Sequence, residues 1–157
     1  MYSSEEVVEL AVNTEKNGKK FYDNAANKTK SAELKKMFNF LAMQEDRHRM
    51  IFESLRGKTE RLMEPADMEE IEGYLNAIVE SEFFLGGDKA LSKATKSDSP
   101  RELLSFALQF EKDTLLFFAE ISELAEGRTK EVLGEIIKEE KKHVKIITEL
   151  LRQQGIA

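Results

Sequence analysis

Apolar residues recur along most of this chain in steps of three and four, and the alternation in steps of two that marks a half-buried strand is missing. Steps of three and four put side chains on one face of an α-helix. Four long stretches show the pattern, at about residues 4–27, 31–56, 100–126 and 129–153. Local signals mark their ends. Ser3 with Glu6 reads as a capping box opening the first stretch. Ser31 opens the second, and Gly57 stops it. Ser99, Pro100 and Glu102 supply an N-cap, an N1 proline and a box glutamate for the third. Gly127 is expected to stop that helix, with the fourth starting near Thr129 and fraying before Gly155.

The connection over residues 58–99 is too long for a simple up-down turn. Met68, Ile71, Leu75, Ile78 and Val79 predict a shorter amphipathic helix inside it. A Gly–Gly break follows, and Phe83, Phe84 and Leu85 read either as a plug under the crossover or as a subunit interface. Two tight helix hairpins joined by one long, partly helical crossover predict an all-α, ferritin-like four-helix bundle, with residues 1–157 forming a single domain. A bundle with simple up-down connections is the alternative. The halves also repeat: "AVNTEKNGKKFY" aligns without gaps on "ALQFEKDTLLFF". "FLAMQEDRHRMIFESL" and "GEIIKEEKKHVKIITEL" align more loosely, and both keep Glu-x-x-His.

The repeat preserves charged residues where a core-facing apolar residue belongs. The inward seams read Val8, Ala11, Glu15, Gly18, Tyr22 in the first helix and Leu41, Glu45, His48, Phe52 in the second. They read Ala107, Glu111, Thr114, Phe118 in the third and Ile136, Glu140, His143, Ile147 in the fourth. Glu15 and Glu45 flank the first turn at similar distances, as Glu111 and Glu140 flank the last, so the four glutamates can meet in one layer. Four buried carboxylates repel one another and lose hydration. Two divalent cations would cancel their charge, with one imidazole for each. The set Glu15, Glu45, His48, Glu111, Glu140 and His143 is therefore the candidate di-metal site, and its oxygen-rich ligation suits iron or manganese. A lone Glu-x-x-His is most often a solvated surface pair. Two of them on inward seams, with two further seam glutamates, are not. Tyr22 and Phe118 read first as core packing, with Tyr22 a candidate hydrogen-bond donor to a ligand carboxylate. The runs "EEKK" and "KTKSAELKK" read as solvated helix faces.

Composition removes competing classes. With no cysteine among 157 residues, disulfides, thiol catalysis, zinc fingers and iron–sulfur clusters are excluded within the chain. A net charge of −6 argues against nucleic acid or an anionic membrane as partner. The acidic start "MYSSEEVVEL" does not resemble a signal peptide, and no apolar run approaches a membrane span, so a cytoplasmic protein is expected.

At these residues the chain resembles the ferritin-like di-iron carboxylate superfamily, and most closely its rubrerythrin branch. Those proteins use a Glu from each of two helices and Glu-x-x-His from each of the other two. The resemblance spans nearly the whole chain. It implies Glu15, Glu45, His48, Glu111, Glu140 and His143 as ligands to two iron ions, with manganese or a mixed pair as the alternative. It implies Glu45 and Glu140 as the bridges. Rubrerythrins also carry a cysteine-rich rubredoxin domain that delivers electrons, so an external electron-donor protein is expected here. They carry a further glutamate one turn after the third-helix ligand, where this chain has Thr114. Gly18 and Thr114 are small, and are expected to leave room for an oxidant or a bridging ligand.

Three functions follow from this resemblance. The first is an oxidoreductase that reduces hydrogen peroxide or dioxygen. The second is an iron-handling ferroxidase, store or sensor, and the third a helical scaffold with a structural metal site. A homo-oligomer, in the first instance a dimer, is expected.

Overall fold

The structure is a computed structural model that describes residues 4–57, 68–80, 96 and 99–155. Five helices occur among these residues: α1 (Ser4–Lys28), α2 (Ala32–Ser54), α3 (Met68–Val79), α4 (Pro100–Leu124) and α5 (Gly127–Gln153). α1 packs chiefly on α2, and α4 chiefly on α5. The two hairpins face one another, and α3 lies in the connection between them and packs on α4. The chain is therefore an all-α bundle of two hairpins with a long, partly helical crossover. Ser3, the Gly–Gly break and residues 83–85 lie outside the described residues. Among the described residues no helix is long and apolar enough to cross a membrane.

The helix ends follow local chemistry. The Ser31 hydroxyl accepts from the Leu34 amide at 3.2 Å, so an otherwise unpaired N-terminal donor of α2 is satisfied. Ser99 does the same for the Glu102 amide at 3.4 Å, ahead of Pro100. Gly57 follows α2 with φ 69°, a left-handed conformation that glycine adopts without a Cβ clash.

One expected end is corrected. α4 stops at Leu124, Ala125 and Glu126 are extended, and Gly127 opens α5 with φ 57°. The glycine thus turns the chain into the second helix of the hairpin instead of closing the first. Thr129 lies inside the first turn of α5 and is buried.

The core is divided. One apolar slab gathers Phe21, Tyr22, Leu34, Phe38, Leu41, Leu104, Phe110 and Ile147. The other gathers Val8, Val12, Phe52, Leu75, Phe118, Ile121, Leu133 and Ile136. The ring centroids of Phe21, Tyr22 and Phe110 lie 5.3 to 5.5 Å apart in the first slab. Phe52 and Phe118 pair at 5.1 Å in the second. Such contacts are worth about 0.5–1.5 kcal/mol each beyond the apolar area they bury. Along every long helix, the residues between the two slabs are the ones that break the apolar seam.

Candidate metal centre

Glu15, Glu45, His48, Glu111, Glu140 and His143 form one layer between the slabs, and none is more than 2% exposed. α1 and α4 each contribute one carboxylate, while α2 and α5 each contribute a carboxylate and an imidazole one turn on. All six residues singled out in the sequence are brought together. Their ligand atoms form two groups, Glu15–Glu45–His48–Glu140 and Glu45–Glu111–Glu140–His143. Within each group the atoms lie within 4.8 Å of one another, and Glu45 and Glu140 belong to both.

Both imidazoles turn Nδ1 toward the carboxylates. His48 Nδ1 lies 2.9 Å from Glu140 Oε1 and 3.6 Å from Glu15 Oε2. His143 Nδ1 lies 2.8 Å from Glu140 Oε2, and 3.5 Å from both Glu45 Oε1 and Glu111 Oε1. The two rings stack with centroids 5.8 Å apart and planes 18° from parallel.

Many of these atoms lack hydrogen-bond partners: both oxygens of Glu15, one each of Glu45, Glu111 and Glu140, and His143 Nδ1. The 2.8 Å approach of His143 to Glu140 is thus a close contact without hydrogen-bond alignment. An unpaired buried polar atom costs about 1–3 kcal/mol, more if charged. So many of them converging is what a cation, approached by several lone pairs at once, would satisfy. The residues therefore fit a pair of divalent ions, each offered carboxylate oxygens and one imidazole nitrogen.

Without a cation the layer holds protons. Burial, reinforced first by the charge of Glu140, pushes the carboxyls of Glu15, Glu45 and Glu111 well above the ordinary carboxylate range. Glu140 moves the other way. Burial opposes its ionisation, but the two imidazoles close against it, His143 first and then His48, outweigh burial and hold it well below the usual range. Burial likewise opposes charge on His48, yet Glu140 and its neighbours raise it to about 9. His143, facing Glu111, Glu140 and Glu45, is raised further still.

Three more residues shape the layer. Tyr22, fully buried, donates its hydroxyl to Glu111 Oε1 at 2.7 Å, so it both packs and orients that carboxylate. Thr114 is 2% exposed, and its hydroxyl has no partner. At Gly18 the expected room is taken by the Glu45 carboxylate, the residue expected as a bridge, and not left for an oxidant. A Cβ on Gly18 would come within 2.8 Å of Glu45 Oε2.

Glu139 corrects an expectation. The run "EEKK" is not simply a solvated face, because Glu139 Oε2 lies 2.5 Å from His48 Nε2. Arg47 in turn grips both oxygens of Glu139. The available signal was positional. Glu139 sits four residues before His143, on the flank of the inward face of α5, where it reaches the histidine of the opposite hairpin.

The proton-holding state sets a pH dependence. Glu15, Glu45 and Glu111 are raised from 4.5, so the folded metal-free chain binds more protons than the unfolded one above that pH. His48 contributes stability that is complete below 6.5 and is lost as pH rises through about 9. Both effects have the same sign. Thermal melts of chelator-treated protein should show Tm falling as pH rises from about 5 to about 9. Saturating Mn(II) should reverse that slope, because the cation replaces the protons. A separate variant, Gly18→Ala, should keep the fold, since alanine favours the helix interior. By displacing Glu45 it should weaken Mn(II) binding about tenfold or more in equilibrium titrations.

Comparison with known proteins agrees with this arrangement. The sequence profile of the rubrerythrin family matches residues 6–96, more than half of the chain. No curated protein matches the chain. A crystal structure from Thermotoga maritima, provisionally described as a ferritin-like diiron-carboxylate protein, superposes with a TM-score of 0.72 at 23% identity. The match covers 98% of this chain and 97% of that one, and shows the same ferritin-like bundle. With its bundle of two hairpins, its buried Glu/His layer and the family profile matched across α1, α2 and α3, this chain belongs to the rubrerythrin family.

Proposed function

We propose that residues 1–157 act as one di-metal domain that holds two iron ions and reduces hydrogen peroxide or dioxygen with electrons from an external donor. The observation that supports this most directly is the pair of four-residue groups sharing Glu45 and Glu140. On this reading Glu15 and His48 would hold one ion, Glu111 and His143 would hold the other, and Glu45 and Glu140 would be shared between them. A manganese or mixed pair fits the same donors. The Thermotoga protein, described as a diiron-carboxylate protein, lends weight to iron. When bound, two ferrous ions supply the two electrons that, with two protons, break the O–O bond of hydrogen peroxide to give two waters.

The chain's own residues do the rest. The two apolar slabs keep bulk water from the layer. Thr114 stands one helical turn after Glu111 with a free hydroxyl. Other helical threonines bond back to the preceding turn, Thr14 to the Leu10 carbonyl and Thr148 to that of Val144, each at 2.7 Å. Thr114 is without that bond, and on this reading its hydroxyl is the donor to the oxidant.

An iron-handling reading has one observation in its favour. A groove of about 570 Å³ between α2 and α5 is lined by Glu131, Glu135 and Glu139 together with Arg47 and Arg128, and Glu139 reaches from it to His48. Carboxylates suit passage of a cation, which would have to exchange with the basic partners they hold here, Arg128 on Glu131, Lys138 on Glu135 and Arg47 on Glu139.

Elemental analysis after anaerobic Fe(II) loading should find about two irons per chain in the wild type and essentially none in a His48→Ala, His143→Ala double variant. The reduced protein should then consume peroxide faster than free Fe(II), with the iron retained through repeated cycles. Iron that is oxidised once and leaves would favour the handling reading. Thr114→Val should keep its iron and react with peroxide more slowly, on the order of a hundredfold. An unchanged rate would remove Thr114 from the reaction.

A further inference from the structure

The internal repeat makes the two halves of the layer nearly interchangeable, so the places where it fails are informative. Two failures touch the layer. On α5, Glu139 precedes the Glu-x-x-His glutamate, and the corresponding residue on α2 is Gln44, an uncharged amide. On α1, Tyr22 follows Glu15 by seven residues, and the corresponding residue on α4 is Phe118, which has no hydroxyl.

The structure places these differences on opposite halves. Glu139 Oε2 meets His48 Nε2 at 2.5 Å, on the ring edge that faces away from the carboxylate layer. The carboxylate there accepts a hydrogen bond from Nε2–H, so Nδ1 is the nitrogen left to give its lone pair to a cation once the cation displaces the Nδ1 proton. Arg47 holds Glu139 in place from the rim of the groove between α2 and α5. On the other half, Tyr22 donates to Glu111 Oε1 at 2.7 Å and draws electron density away from that carboxylate. Neither oxygen of Glu15 has a hydrogen-bond partner. Both differences act in the same direction: the Glu15/His48 half has the better-oriented, more electron-rich imidazole and the freer carboxylate.

We infer that the two metal positions are inequivalent, that a divalent cation loads the Glu15/His48 position first, and that Glu139 is the positioning residue responsible. The inference rests on the di-metal reading of the layer. Glu139 belongs to neither group of residues that would hold a metal ion. It acts through His48, by fixing the tautomer and the angle of the ring.

The test is an anaerobic Mn(II) titration of the full chain, followed by calorimetry and by electron paramagnetic resonance. An isolated Mn(II) gives a six-line signal, and a neighbouring pair gives an exchange-coupled one. The wild type should bind two ions in separate steps, with the six-line signal dominant at one equivalent. Glu139→Gln keeps the shape and removes the charge. It should weaken the first step about tenfold and bring the coupled signal in at one equivalent. Tyr22→Phe frees Glu111, and should strengthen the second step and narrow the gap from the other side. His143→Ala should abolish the weaker step and spare the tighter one. Steps unmoved by Glu139→Gln, or a tighter step lost in His143→Ala, would overturn the ordering and leave the centre itself standing. Wild-type protein that fails to bind two Mn(II) would remove the centre, and this inference with it.

Discussion

Burial of six ionisable side chains in one layer of a helical bundle is the constraint on which the rest of this structure depends. Glu15, Glu45, Glu111 and Glu140 cannot all carry charge in an apolar interior, because lost hydration and mutual repulsion both oppose it. Protons relieve the strain in part, and Glu140 stays ionised only because two imidazoles face it. The orphaned oxygens that remain are the consequence. A layer like this would collapse or hydrate in a loose core. Here it is clamped between two aromatic-rich slabs, so the repulsion is borne by packing above and below.

Helical geometry converts that constraint into a site. In each hairpin a short turn fixes the relative height of its two helices, which brings Glu15 level with Glu45 and Glu111 level with Glu140. One further turn of helix carries His48 and His143 onto the same inward face. Glu45 and Glu140 then occupy the middle of the layer and belong to both four-residue groups. Gly18 belongs to the same geometry, because the Glu45 carboxylate lies where a side chain on α1 would otherwise be.

The bundle is almost two-fold symmetric in its Glu/His layer and not in the residues that support it. Tyr22 steadies Glu111 from within the core, whereas Glu139 steadies His48 from the edge of an open groove. One half of the layer is thus tied to the apolar interior. The other is tied, through Glu139 and Arg47, to the lining of an open surface groove. In a rubrerythrin-family bundle this gives the two sides of a common Glu/His layer different chemical surroundings.

Most of the architecture was legible in the chain by itself, because helical periodicity is a local property. A glutamate or histidine replacing the expected apolar residue on a seam, as at Glu45 and His48, announces a buried polar layer before any fold is known. Ser31, Ser99 and Gly57 mark helix ends through bonds and backbone angles a few residues long. Gly127 is ambiguous in the sequence because a glycine with positive φ can end one helix or open the next, and only the path of the α4–α5 turn decides between them. Glu139 and the space beside Gly18 were hidden for a different reason. Each depends on a residue far away in the chain, His48 and Glu45 respectively, and so on the rotation and height of one helix against another. The sequence alone determined which residues face inward; the tertiary structure decided which of them touch, because contact across a bundle is set by the packing of whole helices and not by spacing along any one of them.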